Sequence, residues 1–84
     1  MLKLLYFASL RERMGRNEED LAIPAGVATV RDLIAHLHAR DAKGEAAFAN
    51  PTLVRAAVNQ EFAGPASAVR DGDEIAFFPP VTGG

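Results

Sequence analysis

Eighty-four residues, 49% hydrophobic and 24% charged, suffice for one small globular domain, and a chain this short buries only about 60% of the surface its unfolded form exposes. A deep enclosed active site is therefore hard to support, and the absence of Cys excludes disulfides, zinc-thiolate sites, thiol nucleophiles and cysteine-based redox or sulfur relays. Nine Lys and Arg against eleven Asp and Glu leave a net charge of -2, without the basic excess that a nucleic-acid surface needs.

Leu2 to Phe7 alternates, with Leu2, Leu4 and Tyr6 on one face and Lys3, Leu5 and Phe7 on the other, which predicts a strand with one strongly apolar face. The apolar run Leu4 to Leu10 is broken by Ser9, is too short to cross a bilayer, and meets Arg11, Glu12 and Arg13 at once. It is read as a strand and not as a signal sequence, and a cytoplasmic protein with no membrane partner is expected. Ser9 and Glu12 have the spacing of a capping box, Leu10 and Met14 share a helical face, and Gly15 ends that turn. Leu21 and Ile23 alternate with Asp20 and Ala22 as a second short strand before the turn residues Pro24 and Gly26.

The clearest helix follows Thr29, an N-cap with Asp32 three residues on, and carries Val30, Leu33, Ile34 and Leu37 at helical spacing. After Gly44 and an Ala-rich stretch, Asn50-Pro51 breaks the chain, and Val54, Ala56 and Val58 alternate as a third strand. Asn59-Gln60 suits a tight turn into a return strand around Phe62, which Gly64-Pro65 ends. Asp71-Gly72-Asp73 is a turn, and Glu74 to Phe78 a last strand with Ile75 and Phe77 on one face and Ala76 and Phe78 on the other. Pro79-Pro80 cannot extend a sheet. This order predicts an α+β domain in which a mixed sheet packs on one main helix, with the nearly continuous apolar last strand central and beside the first.

Self-contained chemistry is scarce. His36 and His38 lie about 200° apart on the helix and cannot share a metal. Asp71, Asp73 and Glu74 lack the spacing of a cation-binding loop and read as a solvated turn, so no metal site is expected. Neither a nucleotide-binding glycine motif nor a nucleophile elbow is present. Leu5, Phe7 and Phe78, by contrast, fall on the face away from the core. Without a second helix over it, that face is an exposed apolar patch of the kind that binds a partner.

The last six residues, Pro79 to Gly84, carry the most information. Two prolines stiffen the exit from the strand and project the terminal residues away from the body. Gly83 and Gly84, with no Cβ, can enter a narrow channel, which makes a slim probe ending in a carboxylate. Such a carboxylate becomes an electrophile once converted to an acyl-adenylate. The run Val58-Asn59-Gln60, then Asp71 through Phe78 and Pro79-Pro80-Val81-Thr82-Gly83-Gly84, with Leu4 to Ala8 and Arg11-Glu12, resembles the molybdopterin synthase small-subunit family of ubiquitin-like sulfur carriers. The similarity covers essentially the whole chain, loosely between Ala39 and Leu53.

The resemblance implies a β-grasp domain over residues 1–80 and a flexible tail over residues 81–84. The Gly84 carboxylate would be adenylated by an ATP-dependent activating enzyme and converted to a thiocarboxylate. The tail, Val81, Thr82 and Gly83 included, would then enter the large synthase subunit, and sulfur would pass to cyclic pyranopterin monophosphate. It also implies that Phe7, Phe62 and Phe78 contact the large subunit in a heterotetramer with two large subunits. The chain itself would bind no cofactor, and the catalytic residues would lie on the partner. Sulfur carriage in another pathway, such as a thiamine-type one, or a protein-modifier or interaction role are the alternatives.

Overall fold

The computed structural model describes residues 1–80; Val81, Thr82, Gly83 and Gly84 lie outside the described residues. The elements are β1 (Leu2–Tyr6), α1 (Ala8–Met14), β2 (Glu18–Leu21), α2 (Val30–Arg40), α3 (Ala42–Ala47), a 3₁₀ turn (Pro51–Leu53), β3 (Arg55–Val58), β4 (Glu61–Ala63) and β5 (Glu74–Phe78). They build the expected α+β domain, a mixed five-stranded sheet in the order β2-β1-β5-β3-β4 with helices over one face. As the apolar run of the last strand predicts, β5 is central. It pairs parallel with β1, Tyr6 opposite Phe77, and antiparallel with β3, Ala56 opposite Phe77.

Period-two alternation puts Leu2, Leu4, Tyr6, Ile75 and Phe77 on the inner face, all fully or almost fully buried. Leu10, Met14, Val30, Leu33 and Leu37 come down on them from the helices. The Tyr6 and Phe77 rings stack at 6.1 Å, and Phe48 meets Phe77 edge-on at 5.1 Å. α2 begins as its sequence dictates: the Thr29 hydroxyl accepts from the Asp32 amide at 3.2 Å, and the Asp32 carboxylate accepts from the amides of Ala28 and Thr29. The Ala28 amide is the main reason that the Asp32 carboxyl lies below its ordinary range. Asn59 and Gln60 both take positive φ, as a two-residue hairpin turn between β3 and β4 requires. Asn59 also pins that turn to the start of β5, accepting from the Glu74 amide and donating to Asp73, both at 3.0 Å.

Several local expectations are corrected. No side chain caps α1; its N-cap is Phe7, whose carbonyl accepts from the Leu10 and Arg11 amides. The chain turns at Ala8, held at φ 52°, so Ser9 is already inside the helix and no Ser9–Glu12 capping box forms. β2 starts earlier than its Leu21–Ile23 alternation implies and ends at Leu21, because Lys3, Leu4 and Leu5 pair with Asp20, Glu19 and Glu18. Val54 caps the 3₁₀ turn and precedes β3. The helical layer holds two short helices besides α2, and α3 runs through Gly44 and the Ala-rich stretch, where the sequence predicts no element. A Cβ on Gly44 would sit 1.8 Å from the Leu37 carbonyl oxygen, so this glycine permits close packing of α3 on α2.

One polar network ties the β2 edge to the far end of α2. Glu19, whose side chain is only 9% exposed, accepts from Tyr6 Oη and Arg40 Nη1, each at 2.8 Å, and pairs with Arg16. Burial alone would raise the Glu19 carboxyl, but the hydrogen bonds from Arg40 and Tyr6 and the charges of Arg40 and Arg16 outweigh it and hold it below its ordinary range. Burial, then the bond to Glu19, pushes the Tyr6 phenol up.

Gly44→Ala should destabilise the domain by about 1–3 kcal/mol or more in urea denaturation, since its methyl meets backbone. The lowered Glu19 carboxyl gives stability present above the ordinary Glu range near about pH 4.3 and lost as pH falls through the folded-state value. A plot of unfolding free energy against pH should therefore drop in acid, and Glu19→Gln should flatten that drop while lowering stability at neutral pH.

Candidate functional site

Among the described residues no helix lies over the outer face of the sheet. A row of apolar residues crosses it by register: Leu5 opposite Ala76, Ala76 opposite Ala57, and Ala57 opposite Phe62. The next row toward the chain's exit contains Phe78 and, opposite it, Arg55. The Phe7 amide donates to the Phe77 carbonyl at 3.1 Å, which continues the β1–β5 ladder past Tyr6 and brings Phe7 alongside Phe78. Phe62 and Phe78 approach with ring centroids 6.0 Å apart. Phe62 is 88% exposed and Phe7 47%, unusual exposures for aromatic rings in a domain with so small a core.

The opposite end of the same face is charged. The Lys3 ammonium pairs with Glu18 at 3.2 Å and also feels Asp20 and Glu74, and the Glu18 bond is the main reason its pKa is raised. The open face thus grades from charged, where β1 and β5 begin, to aromatic, where β5 ends. Pro79 and Pro80 follow Phe78 directly, so the tail leaves from the aromatic end.

Phe7, Phe62 and Phe78, named from the sequence, are brought onto one surface from the ends of β1 and β5 and the middle of β4. The residues named in the tail, Val81, Thr82, Gly83 and Gly84, fall outside the described residues. Sequence reasoning missed a cleft of about 310 Å³ at the base of the tail, where Leu53 and Arg13 face Pro79 and Pro80. Leu53 is 55% exposed, and the Asn50-Pro51 break was the only local signal that a turn would present it there. Among the described residues no group of three His, Cys, Asp or Glu could hold a metal ion, and no helix is long and apolar enough to cross a membrane. Asp71 pairs with the amino terminus, and Asp73 accepts from the Arg70 amide and from Asn59, so this acidic stretch is a structural turn.

A five-stranded mixed sheet of this order, with a central strand running out through two prolines toward two glycines, defines a ubiquitin-like β-grasp domain of the carrier type. The chain belongs to the ThiS family, which it matches over residues 4–84. It is 42% identical to the molybdopterin synthase sulfur carrier subunit of Escherichia coli (strain K12), over 100% of both chains. It is 36% identical to the subunit of the same name from Chlamydomonas reinhardtii, over 99% of this chain and 98% of that one. These relatives bear out the resemblance read from the terminal motif. Small archaeal modifier protein 1 of Haloferax volcanii superposes with a TM-score of 0.73 at 27% identity, covering 95% of this chain and 97% of that one. A chain of the BexX/CysO complex of Amycolatopsis orientalis, at 24% identity, shares the fold with a TM-score of 0.71 and full coverage of both chains.

Exposure separates the two kinds of aromatic residue in this domain. Phe62→Ala should change unfolding free energy by no more than about 0.5 kcal/mol, whereas Phe77→Ala, in the centre of the core, should cost about 3–5 kcal/mol.

Proposed function

We propose that this chain is the sulfur-carrier small subunit of a molybdopterin synthase and that its reactive group is the main-chain carboxyl of Gly84. The observation that carries the reading is the continuity of the aromatic face with the tail: Phe78 both meets Phe62 and leads directly into Pro79 and Pro80. A partner that covers Phe7, Phe62 and Phe78 thereby receives the tail in a defined direction. The apolar rings supply affinity, and the prolines reduce the entropy lost when the tail is threaded.

The chemistry is that of the terminus. An activating enzyme attacks ATP with the Gly84 carboxylate, releasing pyrophosphate and leaving an acyl-adenylate. A sulfur nucleophile then displaces AMP, and the resulting thiocarboxylate is a far better nucleophile than the carboxylate it replaces. Inserted into the large subunit, its sulfur bonds to a side-chain carbon of cyclic pyranopterin monophosphate as the carbon–oxygen bond there breaks and the oxygen departs, and water then hydrolyses the acyl–sulfur bond, which returns the Gly84 carboxylate and leaves sulfur on the pterin. The absence of Cβ atoms on Gly83 and Gly84 keeps the approach to this carbonyl clear. Lysines and other catalytic groups belong to the large subunit, and this chain is a donor with no catalysis of its own. It binds no cofactor, works in the cytoplasm, and joins two large subunits in a heterotetramer. A protein-modifier reading has one specific observation in its favour, the structural likeness to the archaeal modifier.

Intact-mass measurement after incubation with an activating enzyme, ATP and a sulfur donor decides between these. The expected product is heavier by one sulfur less one oxygen at the C-terminus. Adding one residue after Gly84 should abolish that change and leave the fold intact. An unchanged mass, or isopeptide-linked products alone, would sink the sulfur-carrier reading.

A further inference from the structure

The tail is short, and its length decides how closely a receiving partner must approach. Four residues follow Pro80, and fully extended they reach at most about 14 Å. A channel walled by a single helix is already about 10 Å deep. Little more than one residue of slack remains. A partner that takes the Gly84 carboxyl through such a wall therefore seats the rim of the channel directly on this domain, all round Pro79 and Pro80.

Two surfaces meet at those prolines. On the open side of the sheet lie Phe78 and Phe7. On the helical side lies the cleft of about 310 Å³, walled by Ser9 and Arg13 of α1, by Asn50 and Leu53, and by the prolines themselves. Leu53 is 55% exposed there, and its turn is tied down: Asn50 accepts from the Thr52 amide and hydroxyl through its side chain and from the Leu53 amide through its carbonyl. An apolar side chain held out in this way loses little freedom when a partner covers it. The charges beside it are all of one sign. Arg13 lines the cleft with Leu53, and the guanidinium of Arg55, opposite Phe78 in the sheet, donates to the carbonyls of Thr52 and Val54 on either side of Leu53. Glu12 and Glu45, the acids of α1 and α3, are not part of the cleft lining. Among the described residues neither Arg13 nor Arg55 pairs with a carboxylate.

We propose that the protein receiving the tail grips its base from both sides, with a second lip seated in this cleft that lays an apolar side chain on Leu53 and carboxylates against Arg13 and Arg55. This contact rests on the sulfur-carrier reading, since it presupposes a partner that encloses the tail. It adds Leu53, Arg13 and Arg55 to the aromatic contact of Phe7, Phe62 and Phe78. With a lip on each side of the prolines, the tail has one direction of entry, and the cations reject a partner whose rim is basic.

The chain has no cysteine, so a single introduced thiol reports on its own position. Leu53→Cys and, as a control, Ala25→Cys in the exposed turn after β2, at the end of the sheet where β1 begins, are alkylated with iodoacetamide, and the mass of the full chain is followed. Saturating large synthase subunit from the same organism should slow alkylation of the Leu53→Cys thiol at least about tenfold and leave the Ala25→Cys thiol unaffected. In calorimetry with that subunit, Arg13→Gln combined with Arg55→Gln should raise Kd several-fold and flatten its dependence on salt, with the circular dichroism of the free chain unchanged. Phe62→Ala, measured alongside, should also weaken binding. Equal alkylation of the Leu53→Cys thiol in free and bound chain, or wild-type affinity in the double variant, would each overturn the second lip, and loss of affinity in Phe62→Ala then shows that the sulfur-carrier reading survives. No binding by the wild-type chain would overturn both.

Discussion

The parallel pairing of β1 with β5 is the constraint on which the rest of the domain depends. Two strands from opposite ends of the chain, Leu2–Tyr6 and Glu74–Phe78, lie side by side at the sheet's centre with Tyr6 opposite Phe77. Each inward side chain they share contributes about 1.5–3 kcal/mol relative to exposure, which makes this pair the largest apolar investment of a small core. The same pleat that turns Leu4, Tyr6, Ile75 and Phe77 inward turns Leu5, Phe7, Ala76 and Phe78 outward. Core and open face are thus two sides of one alternation, and a slip of one residue would exchange them.

Everything placed around this pair serves to close the inner face with few residues. Gly44 lets α3 reach the Leu37 backbone, and Phe48, delivered from the end of α3, seals the edge of Phe77. Glu19 locks the β2 edge to Arg40 at the end of α2 through a carboxylate whose burial is offset by three donors. The helical layer nonetheless stops short of β3 and β4, and the groove there results from the alanines that the sequence places at those positions.

A domain of this size presents surfaces, not an enclosed pocket. Its open face is graded, with Lys3 and its carboxylates at one end and Phe7, Phe62 and Phe78 at the other, and the tail departs from the aromatic end. The missing cysteine excludes a side-chain thiol as the handler of sulfur, and in the function proposed above the main-chain carboxyl of Gly84 takes that part.

Alternation, caps and turns were legible in the sequence because they are local. Leu2-Leu4-Tyr6 and Ile75-Phe77 declare their faces by period two, Thr29 and Asp32 declare the start of α2, and Asn59-Gln60 declares a hairpin. The terminal motif declared the family. Tertiary structure alone decided the rest. The stretch around Gly44 shows no helix until α2 lies against it, and Ser9 reads as a cap until the β1–β5 ladder extends to Phe7 and shifts the start of α1. Phe48 and Leu53 sit in a stretch with no period of its own, so only packing could send one to the core and the other to the surface beside the tail. The groove between α2 and the sheet likewise joins residues from α2, β3 and β4, whose proximity no local pattern encodes. Long-range contacts determine these features because each depends on where a neighbouring backbone stops, a quantity that side-chain periodicity does not carry.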